Sequence, residues 1–149
     1  MRPQEGYSLA YIDWSQQEFG IAAALSEDSA MTTAYLSGDP YLGFAVQAKA
    51  VPPDATKESH PQIRELFKQC VLAVQYGMSE YGLAERLGVS IIEARGLLQQ
   101  HRQTFPKFWK WSEAAVSCSL LGIPLQTVFG WTLHPVANPN PRSLANFPV

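Results

Sequence analysis

Cysteine and long hydrophobic runs are scarce in this sequence, and both scarcities exclude classes of protein. Among 149 residues only Cys70 and Cys118 are cysteines, and both lie within apolar helical patterns, not at metal-ligand spacing. They indicate small core residues of a reduced, intracellular protein without a disulfide framework. No stretch approaches the roughly 18 apolar residues of a membrane span, and residues 1–6 lack the apolar region of a signal peptide. We therefore expect a cytoplasmic protein with no membrane partner.

Positive charge is also scarce, so composition gives no argument for a nucleic-acid partner. The net charge is -2 and the pI is about 5.9, whereas nucleic-acid-binding domains usually carry a basic surface. The sequence contains no P-loop and no nucleophile elbow. Its histidines, His60, His101 and His134, are too scattered to form a zinc site. Any chemistry on phosphates must therefore come from side chains on helices.

The hydrophobic pattern predicts one mainly helical α+β domain with a small antiparallel sheet. Hydrophobic residues make up 46% of the chain, which is enough for a core. The apolar run 8–12 predicts a buried strand that delivers Asp13 at its end, residues 125–128 and 131–134 predict a β-hairpin, and Arg142 begins a last helix. The other predicted helices cover residues 16–25, 28–36, 40–48, 61–76, the stretch bracketed by Ser79 and Gly88, 91–104 and 107–121. Asp39 is predicted to cap the helix over 40–48, and Ser90 and Glu93 to form a capping box at the start of the helix over 91–104.

The helix over residues 61–76 carries a polar row opposite its apolar face. The row reads Arg64, Lys68, Leu72 and Tyr76 at i, i+4 spacing. The two cations repel each other by a few tenths of a kcal/mol in an isolated helix, which bound phosphates would offset. Cations followed by an apolar and an aromatic residue suit a nucleoside triphosphate, although charge spacing alone favours a solvated basic face.

Asp13 also has two interpretations. An aspartate that follows a strand is more often a helix N-cap than a metal ligand. A separate aromatic cluster also has two interpretations. It consists of Trp109 and Trp111 with their phenylalanine neighbours, and we assign it to the core instead of a base-stacking platform. Neither Asp13 nor the helical row decides the function alone.

Taken together, these residues resemble a known family. Residues 13–18 read Asp-Trp-Ser-Gln-Gln-Glu and resemble the first polymerase motif of family A DNA polymerases, Asp-Tyr-Ser-Gln-Ile-Glu. Arg64, Lys68, Tyr76 and Gly77 match the second motif, which lies on the fingers helix that faces the incoming nucleotide. Further segments similar to the family follow in order at residues 104–107, 127–131 and 142–149.

The resemblance implies a function and roles in nucleotide binding. The chain would be a segment of a template-directed DNA polymerase, a nucleotidyltransferase of DNA replication. Asp13 would bind the catalytic Mg²⁺, Glu18 would crowd the sugar 2′ position, and Arg64 and Lys68 would bind the triphosphate, with Lys68 also catalytic. Phosphoryl transfer needs such cations because negative charge develops on the transferred group.

The resemblance further implies contacts with DNA and a division of the chain. Leu72 would contact the nucleotide where the family usually has Phe or Tyr, and Tyr76 would stack near the templating base. Gly77, Arg142 and Asn146 would lie beside the primer-template. The implied division is a palm strand and first motif over residues 1–27, helical fingers over 28–122, and a return hairpin with the start of a palm helix over 123–149.

The chain also departs from the family pattern. Tyr41 stands where many members have a phosphate-contacting histidine, and Gly20 stands where an arginine often closes the first motif. The third motif, His-Asp-Glu, does not occur in the sequence, so we expect no polymerisation by the chain alone. The alternatives are a non-catalytic nucleotide-binding or nucleic-acid-binding remnant and a helical interaction domain.

Overall fold

The computed structural model describes residues 2–136 and 138–148, with the side chain of Asn146 outside the description. The described residues form helices and one two-stranded antiparallel sheet, which confirms the predicted fold class. None of the described helices combines the length and the apolar character that a membrane crossing requires. In chain order the elements are α1 (Gln17–Ser26), α2 (Ser29–Leu36), α3 (Pro40–Gln47), α4 (Pro61–Gln75), α5 (Glu80–Leu87), α6 (Ile91–Thr104), α7 (Pro106–Leu120), β1 (Leu125–Gln126), β2 (Thr132–Leu133) and α8 (Pro141–Asn146).

The helices begin and end where local sequence signals place them. Asp39 accepts a hydrogen bond from a first-turn N–H of α3, and Pro40 follows it as the first helical residue. Ser90 and Glu93 form the predicted capping box of α6. Gly88 ends α5 with φ +66°, a left-handed conformation that costs glycine little.

The main core is built from aromatic residues on α1, α3, α4 and α7. The Phe44 ring lies 4.6 Å from that of Phe67 and 5.1 Å from that of Phe105, and all three are buried. Burying a side chain of this size contributes about 1.5–3 kcal/mol. Phe108 is also buried and Trp109 packs against this core, in line with the assignment of the aromatic cluster to packing. The core holds α4 against α3 and α6 and so fixes the direction of its polar row.

The N-terminal segment corrects one prediction. Residues 8–12 form no strand, and Leu9, Tyr11 and Ile12 are exposed. An apolar run becomes a strand only where a neighbouring strand supplies its hydrogen bonds, and the described residues place none beside it. The prediction of a buried strand ahead of Asp13 was therefore wrong for this chain, while the proposed division into palm and fingers stays a prediction.

The predicted hairpin is present but shorter than expected. Leu125 pairs with Leu133 and Gln126 with Thr132, so two residues of each predicted four-residue strand are paired. Between them, the N–H of Thr127 donates to the carbonyl of Trp131 at 2.9 Å and closes the loop. The wider loop leaves Phe129 88% exposed at its tip.

Candidate functional site

The candidate site lies along the polar side of α4. Pro61 supplies a first helical residue with φ already suited to a helix, and the apolar face of the helix packs into the core through Phe67, Cys70 and Val71. Burial raises the pKa of the Cys70 thiol to about 12, which makes it an inert packing residue. Because this face is fixed, the row that begins at Arg64 points away from the core.

Arg64 is held by two residues at the start of α3, namely the N-cap Asp39 and the helical residue Tyr41. Its Nε donates to Asp39 Oδ2 at 2.5 Å, and its Cζ lies 5.4 Å from the centre of the Tyr41 ring. Both charged side chains are 24% exposed, so the pair is only partly open to solvent. Burial is the main cause that raises the pKa of Tyr41, which keeps its hydroxyl protonated at neutral pH.

Lys68 lies one turn further along α4 and is more open. Its Nζ is 3.6 Å from Glu65 Oε2, and its side chain is 36% exposed. Glu65 also accepts a hydrogen bond from Gln69 at 2.6 Å, and this bond, with Lys68 as a smaller contribution, lowers the pKa of Glu65. An exposed ion pair of this kind contributes about 0–1 kcal/mol, so Lys68 can exchange Glu65 for an anionic ligand at little cost.

Tyr76 and Glu18 meet at the end of the row. The Tyr76 hydroxyl donates to Glu18 Oε1 at 3.0 Å and joins the C-terminal end of α4 to the first turn of α1. This hydrogen bond is the main cause that raises the pKa of Tyr76, so the phenol stays protonated and remains a donor. The structure therefore brings together two residues that are predicted to contact the nucleotide, belong to different motifs and lie 58 positions apart in sequence. Leu72, between Lys68 and Tyr76, is partly buried.

Gly77 and Arg142 also meet. Gly77 has φ +62°, and a Cβ placed on it would lie 3.0 Å from Cβ and Cγ of Arg142. The contact closes one side of a cavity of about 500 Å³ between α7 and α8, which Trp109 and Glu113 also line. Two residues predicted to contact DNA thus lie side by side, while the side chain of the third, Asn146, is outside the described residues.

Asp13 stands apart from these contacts. It is exposed in the irregular segment that precedes α1, and its neighbour Gln16 begins that helix without a side-chain cap. Within residues 2–136 and 138–148 no group of acidic, histidine or cysteine side chains is placed to hold a metal ion. The structure thus offers one carboxylate of the implied Mg²⁺ site and does not assemble the site itself.

Two residues of the site were missed by sequence reasoning. Asp39 was predicted only as the cap of α3, and Tyr41 only as a departure from a family pattern. Asp39 and Arg64 are 25 positions apart, and no local pattern in the sequence signals their contact. Only the opposite charges of Asp39, which precedes one proline-initiated helix, and Arg64, which lies near the start of another, could have suggested the pair.

Comparisons with known proteins place the chain in a family. The model of the family "DNA polymerase family A" matches residues 1–134. The chain is 30% identical over 128 residues to a protein named "DNA polymerase I, thermostable" from Thermus thermophilus. The match covers 85% of this chain and 15% of that protein. The chain is 29% identical over 128 residues to DNA polymerase I from Chloroflexus aurantiacus, covering 85% of this chain and 13% of the relative.

A solved structure is similar as well. It is the POL domain of Pol1 from M. smegmatis, described as a complex with DNA primer-template and dNTP, with a TM-score of 0.73 and 27% identity. The match covers 91% of this chain and 25% of that one. The chain thus spans a small part of the length of the relatives that it matches. Since the family model covers most of the sequence, the chain belongs to DNA polymerase family A.

Proposed function

We propose that this chain is the nucleotide-binding segment of a template-directed DNA polymerase. The observation that carries the proposal is the row on α4, where Arg64 and Lys68 precede Tyr76 on a face that the core leaves open. A nucleoside triphosphate has its negative charge at one end and its base at the other, which is the order of these side chains. Deoxynucleoside triphosphates are therefore the proposed ligands.

Each side chain has a role that its chemistry supports. Arg64 presents a planar guanidinium that suits bidentate contact with a phosphate, and Lys68 offers a compact charge that can neutralise the pyrophosphate leaving group. Glu18, held by Tyr76, would lie where a ribose 2′-hydroxyl would meet it, and Leu72 would face the base. Gly77, Arg142 and Asn146 are the proposed contacts with the primer-template.

Magnesium enters the proposal only through Asp13. A hard divalent cation prefers carboxylate oxygens, and two such ions would activate the primer hydroxyl and stabilise the leaving oxygen. Asp13 is one suitable ligand, but the described residues do not gather further carboxylates around it. Its exposed, single carboxylate is the observation that favours the alternative, a nucleotide-binding segment without turnover.

The first test is the affinity of the purified chain for a deoxynucleoside triphosphate. Arg64→Ala and Lys68→Ala should each weaken binding by about 10-fold to 100-fold, because a hydrogen bond to a charged group contributes about 1.5–3 kcal/mol. Isothermal titration calorimetry at low and moderate salt measures this. Lys110→Ala, at an exposed position of α7, is the matched control for the loss of one positive charge.

The outcomes of that titration separate the candidate functions. Equal losses in Arg64→Ala, Lys68→Ala and Lys110→Ala would mean that only net charge attracts the ligand. A folded chain that ignores nucleotides at every salt concentration would favour the helical interaction domain.

A second test is primer extension by the purified chain with Mg²⁺ and all deoxynucleoside triphosphates. We expect no extension, because the sequence lacks the third motif, His-Asp-Glu, which would supply a second catalytic carboxylate beside Asp13. Gel analysis of a labelled primer is the measurement, and a full-length family A enzyme is the positive control. Extension that depends on Asp13 would show that the chain assembles a metal site by itself.

A further inference from the structure

Arg64 is anchored at one edge and covered on one face. Its Nε donates to Asp39 Oδ2, and the guanidinium lies over the Tyr41 ring. Tyr41 itself is only 8% exposed, so the ring is a fixed surface. An arginine on a free helix would lose considerable side-chain entropy on binding a phosphate, and this arrangement removes much of that loss before the ligand arrives.

Asp39 uses its two oxygens for different purposes. Oδ1 accepts from the N–H of Leu42 at 3.2 Å as the cap of α3, whereas Oδ2 holds Arg64. The cap fixes the carboxylate relative to α3, and α3 packs directly on α4 through Phe44 and Phe67. The anchor is therefore attached to a rigid pair of helices and not to a mobile loop.

The anchor leaves the useful edge of the guanidinium free for a ligand. Among the side-chain hydrogen bonds of the described residues, that of Arg64 is donated by Nε and not by the Nη atoms. Because the guanidinium is planar, a hydrogen bond at Nε leaves the N–H donors of both Nη groups free in the same plane. That edge has the fork geometry that fits two oxygens of a phosphate.

We propose that Asp39 and Tyr41 are positioning residues that hold Arg64 ready for the terminal phosphates of the nucleotide. The inference rests on the proposed function, since it assumes that Arg64 meets a triphosphate. It assigns to the start of α3 a part in nucleotide binding, although neither residue needs to touch the ligand. Asp39 orients the guanidinium by its edge, and Tyr41 supports its face.

Asp39→Asn separates the anchor from the helix cap. Asparagine caps a helix as well as aspartate does, so α3 keeps its start while Arg64 loses its charged partner. We expect the affinity for inorganic tripolyphosphate, the probe, to fall by about 3-fold to 10-fold, although the variant has one negative charge fewer. Asp54→Asn, at an exposed loop position, removes the same charge and is the matched control. Thermal unfolding of both variants shows whether the fold is kept.

A double-mutant cycle with Arg64→Ala shows whether Asp39 acts through Arg64. In the Arg64→Ala background, Asp39→Asn should have no further effect on tripolyphosphate affinity. Tyr41→Phe should keep the affinity because the ring remains, whereas Tyr41→Leu should reduce it. Unchanged or tighter binding by Asp39→Asn would overturn the inference and make Asp39 a competitor of the ligand. If Arg64→Ala itself binds as tightly as the parent chain, it is the proposed function that fails.

Discussion

Asp28→Ala should destabilise the chain by about 3 kcal/mol or more, the largest loss expected from one polar substitution. The Asp28 carboxylate is 2% exposed and caps two helices at once. Oδ1 accepts from the N–H groups of Ala30 and Met31 at 3.1 and 3.2 Å, at the start of α2. Oδ2 accepts from those of Lys107 and Phe108 at 3.0 and 3.2 Å, at the start of α7. Alanine would leave buried donors of both helices without an acceptor.

Helix α7 depends on Asp28 because it has no side-chain cap of its own. The residue before α7 is Phe105, which has no side-chain acceptor, and Pro106 occupies the first helical position. The carboxylate also lies where the positive ends of two helix dipoles meet, which favours its negative charge. Asp28 thus joins parts of the chain 79 residues apart.

Urea unfolding followed by circular dichroism measures the effect, with Ser79→Ala as the control. Ser79 caps α5 through a single exposed hydrogen bond, so its loss should cost about 1 kcal/mol. Asp28→Asn should fall between the two, since its amide oxygen can cap one helix while its NH₂ group meets the donors of the other. A loss in Asp28→Ala no larger than that in Ser79→Ala would contradict the double-cap interpretation.

The parts of the fold that could be predicted are those with local causes. The start of α3 is determined by Asp39 and Pro40, and that of α6 by Ser90 and Glu93, so each signal lies within a few residues of sequence. The contact of Asp28 with α7 depends on tertiary packing, which no window of sequence contains. A signal for it did exist, since a helix preceded by the apolar Phe105 has no side-chain acceptor at its N-cap and must receive its cap from elsewhere.

The candidate site divides in the same way. The helical spacing of Arg64, Lys68 and Tyr76 follows from the period of an α-helix, and the structure places Arg64 and Lys68 on α4 and Tyr76 at its C-cap. The bond between Tyr76 and Glu18 required a resemblance to place the two motifs together, because its partners are distant in sequence. Residues 8–12 failed as a strand because pairing is a property of two segments and cannot be inferred from one.

Acid should destabilise the chain through His101, the second large effect that we expect. The ring is 1% exposed between Phe44 and Phe105, with centroid distances of 5.1 and 4.9 Å. The Trp109 Nε1–H donates to His101 Nδ1 at 3.0 Å. Because an indole nitrogen can only donate, His101 is neutral and carries its hydrogen on Nε2, which is buried and finds no partner among the described residues. Burial lowers the pKa of His101 from 6.5 to about 3.

The sign of the effect follows from these pKa values. Above pH 6.5 the histidine is neutral in both states, and its contribution to the free energy of unfolding does not change with pH. Below 6.5 the unfolded chain binds a proton that the folded chain refuses until the pH approaches about 3. Stability should therefore fall as the pH is lowered through this window, with a slope that approaches ~1.4 kcal/mol per pH unit from this residue.

His101→Asn tests this assignment by urea unfolding at a series of pH values between 7 and 4. The asparagine Oδ1 can take the place of Nδ1 as the acceptor for Trp109, but the side chain cannot be protonated in this range. The variant should be less stable at pH 7, by about 1–2 kcal/mol, because it is smaller and leaves a cavity. Its stability should then fall less steeply with acid than that of the parent chain, while the exposed His134→Asn serves as the control for removing a histidine. Carboxylates titrate in all three proteins and cancel in the comparison. Parallel pH profiles for His101→Asn and the parent chain would mean that His101 accepts a proton in the folded state, and hence that water reaches the aromatic core around Phe44.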